Sequence, residues 1–212
     1  MSFIHYQNFA DKGIMGVWKI TETIEELQLQ LPIQWLANPE YKDKTIVQQQ
    51  LEWLASRVAL QQLAVEVGSP LVAMTKDEFG KPQCANQFLQ LSLSHSFPFV
   101  AVAVHTHLPL GIDIEKQQAK IQRIAPRVFH VEELAWATSA ETQTLVWCGK
   151  ETLYKWYGKR GLDFKAHLKI VPLDDAWLGE IRNTTIAHDL QLYYHTFDDY
   201  HVVWGHEQLK TS

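Results

Sequence analysis

The sequence predicts an α+β fold made of two similar-sized α/β halves. Strand-like and helix-like segments alternate in each half, and the stretch "GIDIE" near the middle has strand periodicity close to the join. With 212 residues, 46% of them hydrophobic, and eight Trp, there is material for one large core or two small ones. No low-complexity segment, charge block or solenoid repeat marks a boundary.

The elements follow in order. "GIMGVWKI" (13–20) reads as a strand, and "TETIEELQLQL" after it places Thr23 and Glu26 at capping-box spacing, so a helix begins there and Pro32 ends it. From Thr45 to Val67, Leu51, Leu54, Ala55, Val58, Ala59 and Leu63 recur at helical spacing, with Gly68 and Pro70 as a stop. "FLQLSLS" (88–94) and "FPFVAVAVH" (97–105) read as strands, the second apolar on both faces and therefore central in its sheet. "THLP" turns the chain into the next strand. There Leu110, Ile112 and Ile114 alternate with Gly111, Asp113 and Glu115, the period of a strand with one face on a core. Helices are expected over 123–139 and 141–158, the latter closed by Gly158 and Gly161. Runs near 167–171, 190–197 and 200–205 read as strands, with Asp198 and Asp199 in a hairpin turn.

Composition removes several function classes. A net charge of -5 and a pI near 6.0 argue against a general nucleic-acid binder, whose affinity rests on surplus Lys and Arg. Cys84 and Cys148 are far apart and make neither a disulfide framework nor a CxxC pair. "MSFIHYQNFADKG" lacks a charged leader followed by an apolar run, and no window approaches about 18 apolar residues. The expectation is a soluble cytoplasmic protein with no membrane partner.

Chemistry concentrates in two places. Asp113 and Glu115 share a strand face about 7 Å apart, so they repel unless a cation lies between them or water screens both. In the helix at 141–158, Leu145, Gly149, Leu153 and Trp156 form one face, while Trp147, Glu151 and Lys155 lie together on the other. Alone, Glu151 and Lys155 would be an ordinary i,i+4 pair worth about 0.2–0.5 kcal/mol, and Asp113 with Glu115 a solvated strand face. His105 and His107 lack a third zinc ligand within sequence reach, and Cys148 lacks a local His to act as a nucleophile.

Order and spacing carry more than each motif does. "GIDIE", followed some thirty residues later by "WCGKETLYK", a W-x-x-K-E-x-x-x-K pattern, resembles the 4'-phosphopantetheinyl transferase superfamily. "FGKP" (79–82), "LSLSHS" (91–96), "RVFHVEELAW" (127–136) and "GKRGL" (158–162) sit where the longer, surfactin-synthetase-activating type has comparable segments.

The resemblance implies two similar α/β subdomains in a pseudo-twofold arrangement with the active site between them. Residues 1–109 would carry coenzyme A nucleotide and 3'-phosphate contacts, and residues 110–212 the metal site and catalytic helix. It implies Mg²⁺ held by Asp113, Glu115 and Glu151, with coenzyme A as substrate and an apo acyl or peptidyl carrier protein as acceptor. Glu151 would also be the base for the carrier serine, directly or through a metal-bound water, and Lys155 would bind the adenosine-side phosphate. Gly80, Lys81 and Pro82 would hold the nucleotide, and Ser94 and His95 the pyrophosphate or 3'-phosphate. Gln48, Gln49 and Gln50 fill a zone where relatives often carry an arginine for the 3'-phosphate, which leaves Lys42, Lys44 and best-placed Arg57. Lys150 is an added charge or a solvated lysine. Lys116, Lys120, Arg123 and Arg127, interleaved with Ile121, Ile124, Val128 and Phe129, form either a carrier-docking patch or a solvated face over core residues. The expected protein is a monomer. The competing functions are a Mg²⁺-dependent hydrolase of coenzyme A or a related diphosphate, and a catalytically silent carrier-binding protein.

Overall fold

Apolar content and strand periodicity resolve into two compact units in the computed structural model, which describes residues 3–85, 88–174 and 176–207. One unit is Met1–Lys76 with Pro82–His107; the other is Asp77–Lys81 with Leu108–Ser212. The α+β class holds: among the described residues every strand pairing is antiparallel, and each unit packs helices against its sheet.

In the first unit, β1 (Phe3–Phe9), β2 (Gly13–Lys19), β5 (Gln90–Ser96) and β6 (Phe99–His105) form a sheet in the order β1-β2-β6-β5. β6 lies between two partners and is buried along its whole length, as its two-faced apolar sequence requires. α1 (Ile24–Gln28) starts at a capping box in which Thr23 and Glu26 satisfy each other's backbone donors. It ends at Gln28 rather than Pro32, because Pro32 is the N-cap of a further turn, α2 (Ile33–Leu36). α3 (Pro39–Lys42) follows, capped by Asn38. α4 (Val47–Glu66) packs Leu54, Val58, Leu60 and Leu63 onto the sheet and ends where Gly68 takes a positive φ of 71°. β3 (Met74–Lys76) and β4 (Pro82–Cys84) make a short separate hairpin.

In the second unit, β7 (Leu110–Lys116) is followed by α5 (Ala119–Val128), α6 (Val131–Trp136) and α7 (Ala140–Tyr157). The chain then runs β8 (Leu168–Pro172), β9 (Trp177–Arg182), β10 (Ala187–Phe197) and β11 (Tyr200–Glu207) as a meander, and β11 closes onto β7. Val203 sits opposite Asp113, and Gly205 opposite Gly111. The single helix expected over 123–139 is two. Phe129 leaves α5 with extended backbone angles and is fully buried, while His130 caps α6 as the Glu133 carboxylate accepts the His130 N–H at 2.6 Å.

The expectation that β7 has one buried face is also corrected. Leu110 through Ile114 are all buried, because α7 lies over the Gly111 and Asp113 side of the strand. The approach is so close that a Cβ on Gly111 would overlap the Thr152 carbonyl oxygen of α7. Among the described residues, no helix is long and apolar enough to cross a membrane.

Candidate active site

α7 carries its functional side chains because its two faces differ. Val146, Gly149 and Leu153 sink into the core, while Trp147, Glu151 and Lys155 are only partly buried. Ser139 caps its start and Gly158, at φ 68°, its end. Since the odd positions of β7 face this helix, the strand carboxylates meet it directly. Lys155 Nζ lies 2.7 Å from Asp113 Oδ1, with the Asp113 side chain only 5% exposed. Trp147 Nε1 donates to Glu115 Oε1 at 3.0 Å.

Glu151 stands one turn before Lys155 in the same field. Burial and then the Asp113 charge push its carboxyl up to about 7; Lys155 opposes this and Glu115 adds to it. Glu115 is raised likewise, by burial and then by Asp113, against the Trp147 hydrogen bond and the Lys155 and Lys120 charges. Three carboxylates within mutual electrostatic reach, two of them held above their usual range, form a site that gains by receiving positive charge.

Among the described residues, no three His, Cys, Asp or Glu side chains are gathered at metal-holding spacing. The donor chemistry nonetheless fits a hard divalent cation, because Asp113, Glu115 and Glu151 offer only carboxylate oxygens. The nearby thiol is tied up on both sides: Cys148 Sγ donates to the His201 carbonyl oxygen at 3.5 Å and is also within hydrogen-bonding reach of the Asp113 carboxylate. Burial, then the Asp113 and Glu115 charges, push that thiol well up, so it is an inert core cysteine.

Lys150 is neither a solvated lysine nor part of this cluster. It is fully buried, 2.8 Å from Glu133 Oε2, and donates to the carbonyl oxygens of Phe164 and Leu168 at 2.7 and 2.6 Å. Glu133 in turn accepts the Ile170 N–H at 2.6 Å, so the pair ties α6, α7 and β8 together. Burial holds the Lys150 ammonium below its usual range, and the Glu133 charge opposes that.

Phe79, Gly80 and Lys81 of the FGKP segment form a tight turn in the second unit's short N-terminal piece, and Pro82 belongs to the first unit. Asp77 Oδ1 accepts the N–H groups of Phe79 and Lys81, both at 2.9 Å, and Gly80 takes φ 91°. Lys81 Nζ donates to the Trp156 carbonyl oxygen at 2.7 Å, placing a cation on the C-terminal end of α7, and Pro82 opens β4.

In the first unit, Ser94 is buried on β5 and His95, next along, is exposed. His95 Nδ1 lies 3.3 Å from Glu52 Oε2. Arg57 is buried: its guanidinium lies over the Trp53 ring at 4.3 Å, donates to Ser56 Oγ at 3.0 Å and stands 3.7 Å from Glu40. Burial, opposed by Glu40, brings its pKa down to about 10. With Trp35, Asn38, Glu40 and Lys76 it lines a cavity of about 330 Å³.

Asp113, Glu115, Glu151 and Lys155 thus gather in one unit, and Arg57, Ser94 and His95 belong to the other. The sequence reading missed three supporting residues: Trp147 as the brace of Glu115, Glu133 as the buried partner of Lys150, and Glu52 as the partner of His95. Only Trp147 gave a signal, by sharing a helix face with Glu151 and Lys155.

No curated protein gives a significant match to the chain. Residues 109–205, just under half of it, match the family model described as the 4'-phosphopantetheinyl transferase superfamily. That span runs from the start of β7 into β11 and contains Asp113, Glu115, Glu151 and Lys155, whereas Arg57, Gly80, Lys81, Pro82, Ser94 and His95 lie outside it. The carboxylate and lysine cluster therefore lies wholly within the span that is similar to the 4'-phosphopantetheinyl transferase superfamily.

Proposed function

We propose that the protein transfers the 4'-phosphopantetheine group of coenzyme A to the acceptor serine of an apo acyl or peptidyl carrier protein and releases 3',5'-ADP. The order of motifs, FGKP and LSLSHS ahead of the matched span and RVFHVEELAW and GKRGL within it, favours the longer, two-halved, surfactin-synthetase-activating type. The observation that carries this reading is the cluster of Asp113, Glu151 and Lys155 inside the matched domain.

Asp113, Glu115 and Glu151 would hold Mg²⁺, which when bound neutralises and orients the pyrophosphate oxygens. Glu151, with a carboxyl near neutrality, is suited to relieve the attacking serine of its proton. Lys155, anchored by Asp113, presents an ammonium to the phosphate that must leave. Trp147 holds Glu115 in place by its indole N–H. The partner surface is α5, where Lys120, Arg123 and Arg127 are exposed beside half-buried Ile124 and Val128, a basic and apolar strip suited to an acidic carrier helix.

Intact-mass measurement on several apo carriers, incubated with coenzyme A and Mg²⁺, tests the reading. One phosphopantetheine should be added per carrier, and chelator should abolish the addition. Coenzyme A cleavage without any carrier would replace this reading with the hydrolase, and neither reaction would leave a silent carrier binder.

A further inference from the structure

Lys155 sits in the last turn of α7, where a helix is least able to hold itself. The final carbonyl groups of a helix have no partner within it, and here the Gly158 N–H reaches back only to the Tyr154 carbonyl oxygen, at 3.0 Å. The Trp156 carbonyl oxygen beyond it is taken by Lys81, whose Nζ donates to it at 2.7 Å from a segment 75 residues away.

The turn that carries Lys81 is fixed in itself. The Asp77 N–H donates to the Lys81 carbonyl oxygen and the Gly80 N–H to that of Asp77, both at 3.0 Å, while Asp77 Oδ1 accepts the Phe79 and Lys81 N–H groups at 2.9 Å. The Lys81 stem passes so close to Gly158 that a Cβ there would overlap Lys81 Cδ. Its ammonium therefore rests on the negative pole of the helix dipole. Burial pulls that ammonium below its usual range, against the charge of Asp77, which a freely solvated lysine would not experience.

The same turn of α7 is also held from the side of β7. Trp156 Nε1 donates to the Pro109 carbonyl oxygen at 3.1 Å, and the Gly111 backbone lies against the Thr152 carbonyl. Those ties hold the face toward the strand, and Lys81 holds the free end. All of these residues lie in the second unit.

Resting on the transferase reading above, we infer that Lys81 is a positioning residue of the reaction: it clamps the last turn of α7 and so keeps Lys155 on Asp113 and aimed at the departing phosphate. Its ammonium acts through the Trp156 main chain and not on the substrate.

Two variants test this. Lys81→Met keeps the stem over Gly158 and removes the ammonium, and Lys81→Arg keeps a charged donor. On one apo carrier, Lys81→Met should lower kcat about tenfold, as a slightly misplaced group does, and leave KM for coenzyme A within about twofold. Lys81→Arg should recover most of kcat. A lysine that grips the nucleotide gives the opposite split, with KM up about fivefold or more at unchanged kcat. That split overturns the inference, and so do wild-type kinetics in Lys81→Met. Amide hydrogen exchange reads the clamp without the reaction. The N–H groups of Lys155, Trp156 and Tyr157 should exchange about fivefold faster in Lys81→Met, with those of residues 146–150 unchanged. Equal exchange in mutant and wild type overturns the inference. If the wild-type protein transfers nothing, the transferase reading fails on that result alone, and exchange still decides whether Lys81 holds the helix.

Discussion

Lys155 Nζ and Asp113 Oδ1 lie 2.7 Å apart across 42 residues of sequence, and this contact supplies the positive charge that the strand carboxylates need. The same ammonium lowers the carboxyls of Glu151 and Glu115, so its effect extends beyond its direct partner. Lys155→Met should leave Asp113 buried without its ion-pair partner Lys155, push both other carboxyls further up and slow carrier modification by about 10²–10³. Holo-carrier formation at fixed pH measures this; a rate within twofold of wild type would make Lys155 a purely structural residue.

Glu151 gives the pH dependence of the metal-free protein. Its carboxyl, ordinarily near 4.5, is pushed up to about 7 in the folded state. The folded protein therefore binds a proton more tightly than the unfolded chain does. Stability from this group is fully present below about 4.5 and is lost as pH rises through about 7. Glu151→Gln cannot ionise, so in chelator the mutant should gain on wild type between those limits. Thermal unfolding of both proteins across that range is the measurement, and parallel curves would refute it.

Lys150 and Glu133 should respond to substitution as a buried pair. Lys150→Met alone strands the Glu133 carboxylate inside the core and should cost about 3–5 kcal/mol in urea unfolding. Lys150→Met combined with Glu133→Leu should recover a large part of that. If the double mutant is no more stable than the single, the bonds from Glu133 to the His130 and Ile170 N–H groups outweigh the charge problem.

Trp147→Phe keeps an aromatic ring stacked on Phe164, 5.5 Å between centroids, but deletes the N–H that Glu115 accepts. The stability loss should be about 0.5–1.5 kcal/mol. Because that bond lowers the Glu115 carboxyl, its loss lets a proton compete better with a cation. Half-maximal activity should therefore need more Mg²⁺ at pH 6.5 than at pH 8, by a larger ratio than in wild type. An unchanged Mg²⁺ requirement would remove Glu115 from the ligand set.

The exposed basic residues of α5 are testable through salt. Lys120→Glu with Arg123→Glu should raise the apparent KM for an acidic carrier several-fold and leave coenzyme A affinity alone, with the difference shrinking at high ionic strength. Wild-type behaviour of the double mutant at low salt would move carrier docking elsewhere.

Much of the fold was legible where local chemistry decides it. The Thr23 capping box, the apolar spacing of α4 and the two-faced run of β6 each carry their cause within a few residues. The break between α5 and α6 was not legible, because it depends on a histidine acting as N-cap and on Phe129 finding a buried place. β1, β3, β4 and β9 were missed, as were the one-turn helices α2 and α3; β3 and β4 are only three residues long, too short to show a period. At the site, Asp113, Glu115, Glu151 and Lys155 were visible as residue types at a spacing. Which of them touch was not, since that follows from how β7 meets α7. The same limit hid the ties from Lys81 to Trp156 and from Glu52 to His95, which join segments 75 and 43 residues apart.

The bare Cα of Gly111 against the Thr152 carbonyl has a consequence for how this protein could drift or be redesigned. The interval between the strand carboxylates and the helix lysine is gauged by main chain on main chain, not by the bulk of intervening side chains. Core residues such as Leu153 or Leu192 could be exchanged for others of similar volume without moving Asp113 relative to Lys155. One methyl group at position 111 would wedge the two apart. A library that randomises the core of this unit should hence keep its chemistry in many survivors, and tolerate almost nothing at the first letter of GIDIE.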